Sequence, residues 1–261
     1  MTSEDRGTPA PVSDGDDASP SSQGRPAKKK HLPLWQETIL LLVLALLLAV
    51  GIKAFLAQAF YIPSESMEPG LIRNDRILVQ KVSYWFGGEP QRGDVVVFQD
   101  PGGWLTDSEA AGPDNVVAKA MAAVGLYPEG GHLVKRVIGV AGDTITCCDD
   151  KGRISVNGVP LDEDSYIREQ GTRCNGPMVA NCSWEAGPVP EGHVFVMGDN
   201  RGHSADSTVH LCRPDETECV PGDEFVPDDL VVGKVLVLLW PLQRFDVVGR
   251  PESFADVPDR S

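Results

Sequence analysis

Three short stretches of the chain carry residues that could do chemistry. The first is Tyr61-Ile62-Pro63-Ser64-Glu65-Ser66-Met67-Glu68-Pro69. If this stretch is extended, Ser64 and Ser66 point the same way, because alternate residues of an extended chain share a face. Two hydroxyls could then converge on one carbonyl, although a Ser/Pro linker has the same composition. The second stretch is His132-Leu133-Val134-Lys135-Arg136-Val137-Ile138-Gly139-Val140, apolar on both faces like a strand covered on both sides. Two cations in its middle require a reason. With a period of two, Lys135 shares a face with Leu133 and Val137, where desolvation lowers a lysine pKa from its reference of about 10.4. A neutral amine can act as general base toward a serine hydroxyl. The alternative is a pair of basic residues at a strand edge, matched to acids. The third stretch is His193-Val194-Phe195-Val196-Met197-Gly198-Asp199-Asn200-Arg201, followed by Ser204, Asp206 and Ser207. Here a hydrophobic strand runs into a dense polar turn, a composition that often shapes active sites. An ordinary Asx-type turn capped by Asp199 and Asn200 would also fit.

Other nucleophile systems fit less well. The chain has no G-x-S-x-G elbow, no penicillin-binding type S-x-x-K, no H-E-x-x-H helix and no phosphate-binding glycine loop. His203 adjoins Ser204, but sequence neighbours point apart. His203, His210, Cys212 and Cys219 cluster in a spacing that matches no common zinc pattern, so no metal is expected.

The elements that must position these residues can be read from composition and periodicity. With 41% hydrophobic residues among 261, the chain can bury a core, and its formal net charge of −15 argues against broad nucleic-acid binding. Twenty-seven glycines and 21 prolines predict many turns and a mainly β, antiparallel fold. Strands are expected at Arg76–Lys81, Asp94–Phe98, Leu133–Val140, Arg153–Val156, Val194–Met197 and Leu230–Leu239, with turn signals such as Asn157-Gly158 between them. Asn115–Val124 reads as one helix, with Asp114 as a possible N-cap.

Ahead of the strands, Ile39–Ile52 contains no polar or charged side chain, and the segment Ile39–Phe60 has the length of a bilayer-spanning helix of about 20 residues. Lys28, Lys29 and Lys30 precede it, which predicts a cytoplasmic N-terminus and an extracytoplasmic remainder. A cleaved secretory signal is the competing reading, since Ala57-Gln58-Ala59 has the form of a cleavage site. The expected organisation is a disordered tail over 1–33, an anchor over 34–60, a β-rich domain over 61–248 and a C-terminal tail over 249–261. All six cysteines follow the anchor. In an oxidising compartment, Cys174–Cys182 and Cys212–Cys219 could each close a short loop. Adjacent Cys147 and Cys148 are not expected to bridge each other. Tyr84-Trp85-Phe86 and Trp104 are candidates either for shallow membrane insertion or for core packing.

Five segments in order resemble the boxes of bacterial type I signal peptidases: Pro63–Pro69, Asp75–Val79, Arg92–Val96, Lys135–Gly139 and Gly198–Arg201. Val232-Gly233-Lys234 and Trp240-Pro241 resemble that family's closing strand. The resemblance implies an antiparallel β fold similar to the self-cleaving domain of SOS-response repressors. It also implies a membrane-bound serine endopeptidase, without cofactor, that cuts exported preproteins from the export machinery after Ala-x-Ala-like sites. By position, Ser66 matches the nucleophile and Lys135 the general base. Ser64 matches an oxyanion-hole hydroxyl, acting with the backbone N–H of Ser66. Ser204 matches the residue that orients the lysine, and Asp199, Arg201 and Asp206 a supporting shell beside Arg136. Thr208 stands where the family usually has arginine, which leaves a partner of Asp206 to be supplied elsewhere. Gly70 and Ala141 depart from a common threonine and proline. A Ser/Lys protease that cleaves itself or one regulatory partner, and a membrane-tethered β domain that binds a partner without catalysis, are the readings that compete.

Overall fold

The computed structural model describes residues 33–51, 56–112, 115–123, 130–168, 183–212 and 219–259. It divides into two units, Met1–Ala45 and Leu46–Ser261. Helix α1, Leu34–Gly51, follows the apolar run and exposes its leucines along its length, among them Leu40, Leu44 and Leu48. Among the described residues no helix is long and apolar enough to cross a membrane. The sequence reading carried the helical segment to Phe60, and here the fold differs. Strand β1, Ala57–Tyr61, pairs antiparallel with β2, Arg76–Gln80, in the register Ala57 with Gln80. Sheet pairing satisfies the backbone of residues 57–61 and buries Phe60 in the core, so tertiary contacts override the local apolar pattern.

A 3₁₀ segment, Val82–Gly87, leads to β3, Val95–Gln99, and then to two short helices, α2 (Asp107–Ala110) and α3 (Val116–Ala123). Asn115 caps α3 by accepting from the Ala118 N–H at 2.7 Å, the position expected of Asp114, which lies outside the described residues. Strand β4, His132–Gly139, pairs with β3 on one side and with β9, His193–Met197, on the other. That central place explains why β4 is apolar on both faces. Strands β5 (Ile145–Cys147), β6 (Ser155–Val156), β7 (Val159–Pro160) and β8 (Trp184–Ala186) form a separate four-stranded sheet in the order β7-β6-β5-β8. Asn157 and Gly158 both take positive φ between β6 and β7, as the Asn-Gly signal predicts. Strands β10 (Val226–Pro227), β11 (Val231–Trp240) and β12 (Asp246–Val247) complete the larger sheet, whose order is β1-β2-β11-β3-β4-β9-β10 with β12 on β11. Every pairing between these strands is antiparallel.

Side chains of both sheets share one core cluster, with Ile138, Phe195 and Met197 from the large sheet meeting Ile145, Val156 and Ala186 from the small one. Phe254 and Val257 pack into the same cluster. Arg92 pairs with Asp143 at 2.7 Å and donates to the Val257 and Pro258 carbonyls. The chain to residue 259 is therefore part of the β unit, where the sequence reading put a tail from 249.

Trp104 is buried and stacks on the His210 ring with centroids 4.4 Å apart, so it is core and not available for membrane insertion. Tyr84 is half-buried, and burial pushes its hydroxyl pKa up. Cys212 is joined to Cys219, so neither thiolate is available to a metal. Cys147 and Cys148 are joined to each other: the peptide bond between them is cis and their Cα atoms lie 3.0 Å apart. Cys174 and Cys182 lie outside the described residues.

Candidate active site

The turn that carries Ser66 is held between two core residues. Ile62 and Met67 are both buried in the cluster behind it, with Ile77, Val79 and Leu238. Its backbone is then fixed from outside. The Ser66 carbonyl accepts from the Asn200 N–H, and the Glu65 carbonyl from Asn200 Nδ2, each at 3.0 Å. Residues 64–68 form a bend and turn, not a strand, so the two serines converge through the turn and not through strand alternation. Ser64 Oγ lies 3.2 Å from Ser66 Oγ.

Alternation does operate on β4. Lys135 and Arg136 are neighbours, and their side chains go to opposite sides. Lys135 is only 4% exposed, and its Nζ lies 3.0 Å from Ser66 Oγ, itself 6% exposed. Arg136 forms a two-pronged pair with Asp199, at 2.8 and 2.7 Å, donates to the Gly93 carbonyl and lies 4.5 Å above the Tyr166 ring. Burial works against its charge, but the Asp199 carboxylate more than offsets this and holds the guanidinium above its ordinary pKa. Both cations of the stretch thus have a reason, and they are different reasons.

The polar turn after β9 supplies the rest. A Cβ on Gly198 would lie 2.3 Å from Ser204 Oγ and 2.5 Å from the Ser66 carbonyl oxygen, so this position accepts only glycine. The Asp206 carboxylate is fully buried. Its Oδ2 accepts from Ser204 Oγ at 2.6 Å and from the Gly198 N–H at 2.9 Å. Its Oδ1 accepts from the Thr208 hydroxyl at 2.7 Å and the Thr208 N–H at 3.1 Å. The residue that replaces the family arginine therefore supplies hydrogen bonds to Asp206 itself. Arg201 is 1% exposed and does not pair with Asp199 or Asp206. It forms a two-pronged pair with Glu163 at 2.9 and 2.6 Å and donates to the Gly198 carbonyl at 3.0 Å. Burial opposes its charge, and Glu163 overrides that and pushes its pKa up. The Tyr166 hydroxyl also donates to Glu163, and burial with this acidic neighbour raises its pKa well above the usual value.

Ser64, Ser66, Lys135, Asp199, Asn200, Ser204 and Asp206 of the three stretches are linked in this region through direct contacts or through Arg136 and Gly198. The sequence reading missed Asn200 as a support of the Ser66 turn, and it missed Glu163 and Tyr166 altogether. Glu163 sits in Leu161-Asp162-Glu163-Asp164, which reads as an acidic surface loop. Only the buried Arg201 calls for an acid, and its sequence does not say which. The segment 163–168 wraps the Ser66 turn from outside: Ile167 bridges to Pro69, Arg168 pairs with Glu68, and the Arg168 N–H donates to the Asp199 carbonyl at 3.0 Å.

Residues 35–240 match the family model of signal peptidases, peptidase S26. A signal peptidase I of Mycobacterium tuberculosis is 42% identical over 253 residues, covering 90% of this chain and 82% of that protein. A probable signal peptidase I of Mycobacterium leprae is 39% identical over 262 residues, covering 94% and 89%. A signal peptidase I of Leptolyngbya laminosa is 34% identical over 242 residues, covering 90% and 97%. With a family model spanning most of its length and relatives this similar, the chain belongs to the signal peptidase family, peptidase S26.

Proposed function

We propose that this serine endopeptidase removes N-terminal signal peptides from exported preproteins after Ala-x-Ala-like sites, with Ser66 as nucleophile and Lys135 as general base. The observation that carries the reading is the 3.0 Å approach of Lys135 Nζ to Ser66 Oγ in a buried setting. Burial disfavours an ammonium relative to a free amine, and only the free amine can take the serine proton. As Ser66 Oγ attacks the scissile carbonyl, its proton passes to Lys135 Nζ. The oxyanion is met by the Ser64 hydroxyl and the Ser66 backbone N–H. The protonated lysine then gives its proton to the leaving amine of the mature protein. A water activated by the same lysine hydrolyses the acyl-enzyme and frees the signal peptide. Each step uses the chain's own groups and requires no metal or cofactor.

Ser204, committed to Asp206, orients the lysine. The Arg136–Asp199 pair holds β4 against the turn after β9, and Arg201 braces that turn from Glu163. The apolar run Ile39–Ile52 after Lys28–Lys30 supports a single anchor in a bacterial cell membrane, with residues 1–33 cytoplasmic and the β unit extracytoplasmic. The exposed side chains of Trp240, Leu242, Phe245 and Val247 support contact of the β unit with the lipid surface, a better candidate than Trp104. Exported preproteins and the export machinery are the expected partners. The self-cleaving alternative is weakened by β1: Ala57-Gln58-Ala59 is paired residue for residue with β2 and would have to unzip to enter a site.

Cleavage of a preprotein with an Ala-x-Ala site by the detergent-purified protein tests the reading. Activity in wild type and none in folded Ser66→Ala or Lys135→Met is expected. Activity surviving in Lys135→Met would put the base elsewhere.

A further inference from the structure

We propose that Asn200 is a positioning residue that aims the backbone N–H of Ser66, one of the two oxyanion donors. The inference rests on the reading of Ser66 as nucleophile and Lys135 as base. Asn200 is fully buried and holds two consecutive peptide units of the Ser66 turn. Its side-chain Nδ2 donates to the Glu65 carbonyl and its backbone N–H to the Ser66 carbonyl, each at 3.0 Å. A carbonyl can only accept, so the Asn200 amide must present its NH2 end to Glu65. The Glu65–Ser66 peptide is trans and planar, so its C=O and N–H point in opposite directions. A donor that holds the Glu65 oxygen on one side thereby fixes where the Ser66 N–H points on the other. Among the described residues no backbone carbonyl accepts from that N–H, so its direction is set from the far end of its own peptide. The turn's internal bond to the Glu65 oxygen, from the Glu68 N–H, is longer, at 3.2 Å. A single contact lets the peptide pivot about it, and a second one from a different element removes that freedom.

Asn200 is itself firmly seated. Its neighbours on both sides are partners in buried ion pairs: Asp199 holds Arg136 at 2.8 and 2.7 Å, and Arg201 holds Glu163 at 2.9 and 2.6 Å. The His203 N–H donates to the Asn200 carbonyl at 2.9 Å. The two charge pairs thus determine where Asn200 stands, and Asn200 determines where the Ser66 N–H points. An oxyanion donor acts only when it is aimed at the place where charge develops, and losing one costs about a hundred- to a thousandfold in kcat. The Glu68 contact and the Asn200 backbone N–H survive any change of the Asn200 side chain. Substitution therefore misaims the donor without removing it, and the expected loss is a part of that, about ten- to a hundredfold in kcat.

The test uses the full-length, detergent-purified protein and compares wild type with Asn200→Ala and Asn200→Asp on an Ala-x-Ala preprotein, with Lys135→Met alongside. Asn200→Asp keeps the shape and replaces the donating NH2 with an oxygen. Both variants are expected to lose about ten- to a hundredfold in kcat, with KM within about twofold of wild type. A second readout separates aiming from general damage to the turn. When an Ala-x-Ala peptide aldehyde binds, Ser66 Oγ bonds to its carbonyl carbon, the C=O π bond breaks onto the oxygen, and the serine proton passes to Lys135. The oxygen then occupies the oxyanion position, whereas the corresponding peptide alcohol binds without forming a bond. Affinity for the aldehyde should fall in proportion to kcat, while affinity for the alcohol stays within about twofold. Wild-type kcat in either folded variant overturns the proposal. So does an equal loss of affinity for aldehyde and alcohol, which would make Asn200 a general support of the binding site. Should Asn200→Ala fail to fold, Asn200→Asp is judged by the same criteria. Activity in Lys135→Met would overturn the dyad on which the proposal stands, and it is scored separately from the Asn200 variants.

Discussion

At Ser66 the chemistry is set by which groups surround two atoms. One is its own Oγ, with Lys135 Nζ at 3.0 Å and Ser64 Oγ at 3.2 Å. The other is its carbonyl oxygen, tied to the Asn200 N–H. The second contact fixes the backbone of the Ser66 turn. Ser64 is exposed while Ser66 is buried, which is consistent with the proposed oxyanion-hole role of the Ser64 hydroxyl. Removing one such oxyanion donor costs about 3 kcal/mol of barrier, or about a hundredfold in kcat. Ser64→Ala is therefore expected to lose kcat on that scale with KM nearly unchanged, measured by steady-state cleavage of a preprotein. Unchanged kcat would remove Ser64 from the site. These two serines were legible in the sequence as a pair, but for the wrong geometric reason. Two serines two apart share a face on a strand, and here they meet because Met67 dives into the core and bends the chain.

At the scale of elements, two attachments decide how firmly the site is held. The first is the turn after Asp206. The Val209 N–H donates to the Asp206 carbonyl, His210 stacks on Trp104, and the Cys212–Cys219 bond closes the loop that follows. Burial lowers the His210 pKa below its ordinary value of 6.5, with Asp206 acting in the opposite sense. The unfolded chain therefore binds a proton at His210 more readily than the folded one. This group's contribution to stability is present above about pH 6.5 and falls away as the pH drops through that value. The melting temperature of His210→Gln should fall less than that of wild type between pH 7.5 and 5, and parallel curves would count against this. The second attachment is the C-terminal segment, where Phe254 fills the core between the sheets. Phe254→Ala should destabilise by about 3–5 kcal/mol, read from urea unfolding, a loss too large for a residue in a loose tail. Nothing in the periodicity of residues 249–259 marks them as packed, because a single aromatic anchor has no repeat to recognise.

Across the whole molecule, the site depends on a buried set of charges contributed by separate segments. Arg136 with Asp199, and Arg201 with Glu163, are two pairs of opposite charge around Tyr166. Each cation is matched, and a buried pair broken on one side costs about 3–5 kcal/mol because it strands a charge. Glu163→Leu or Arg201→Leu alone should lower stability by that amount. The double variant should recover a large part of it, and additive losses in denaturant unfolding would show that the two residues do not act as a pair.

The sequence by itself determined the family, the long strands and the Asn157-Gly158 turn, and it singled out Ser66 and Lys135, whose side chains the fold brings to 3.0 Å of each other. These are signals carried within a few neighbouring positions: residue type, a period of two, a dipeptide with a required φ. The tertiary structure alone decided that residues 57–61 join the sheet, that Trp104 is core, and that Arg201 is answered by Glu163. Each of these depends on what stands opposite a residue in space, often far along the chain. A buried charge or an unpaired strand edge announces that it needs a partner, and only the folded chain determines which group is close enough to be one.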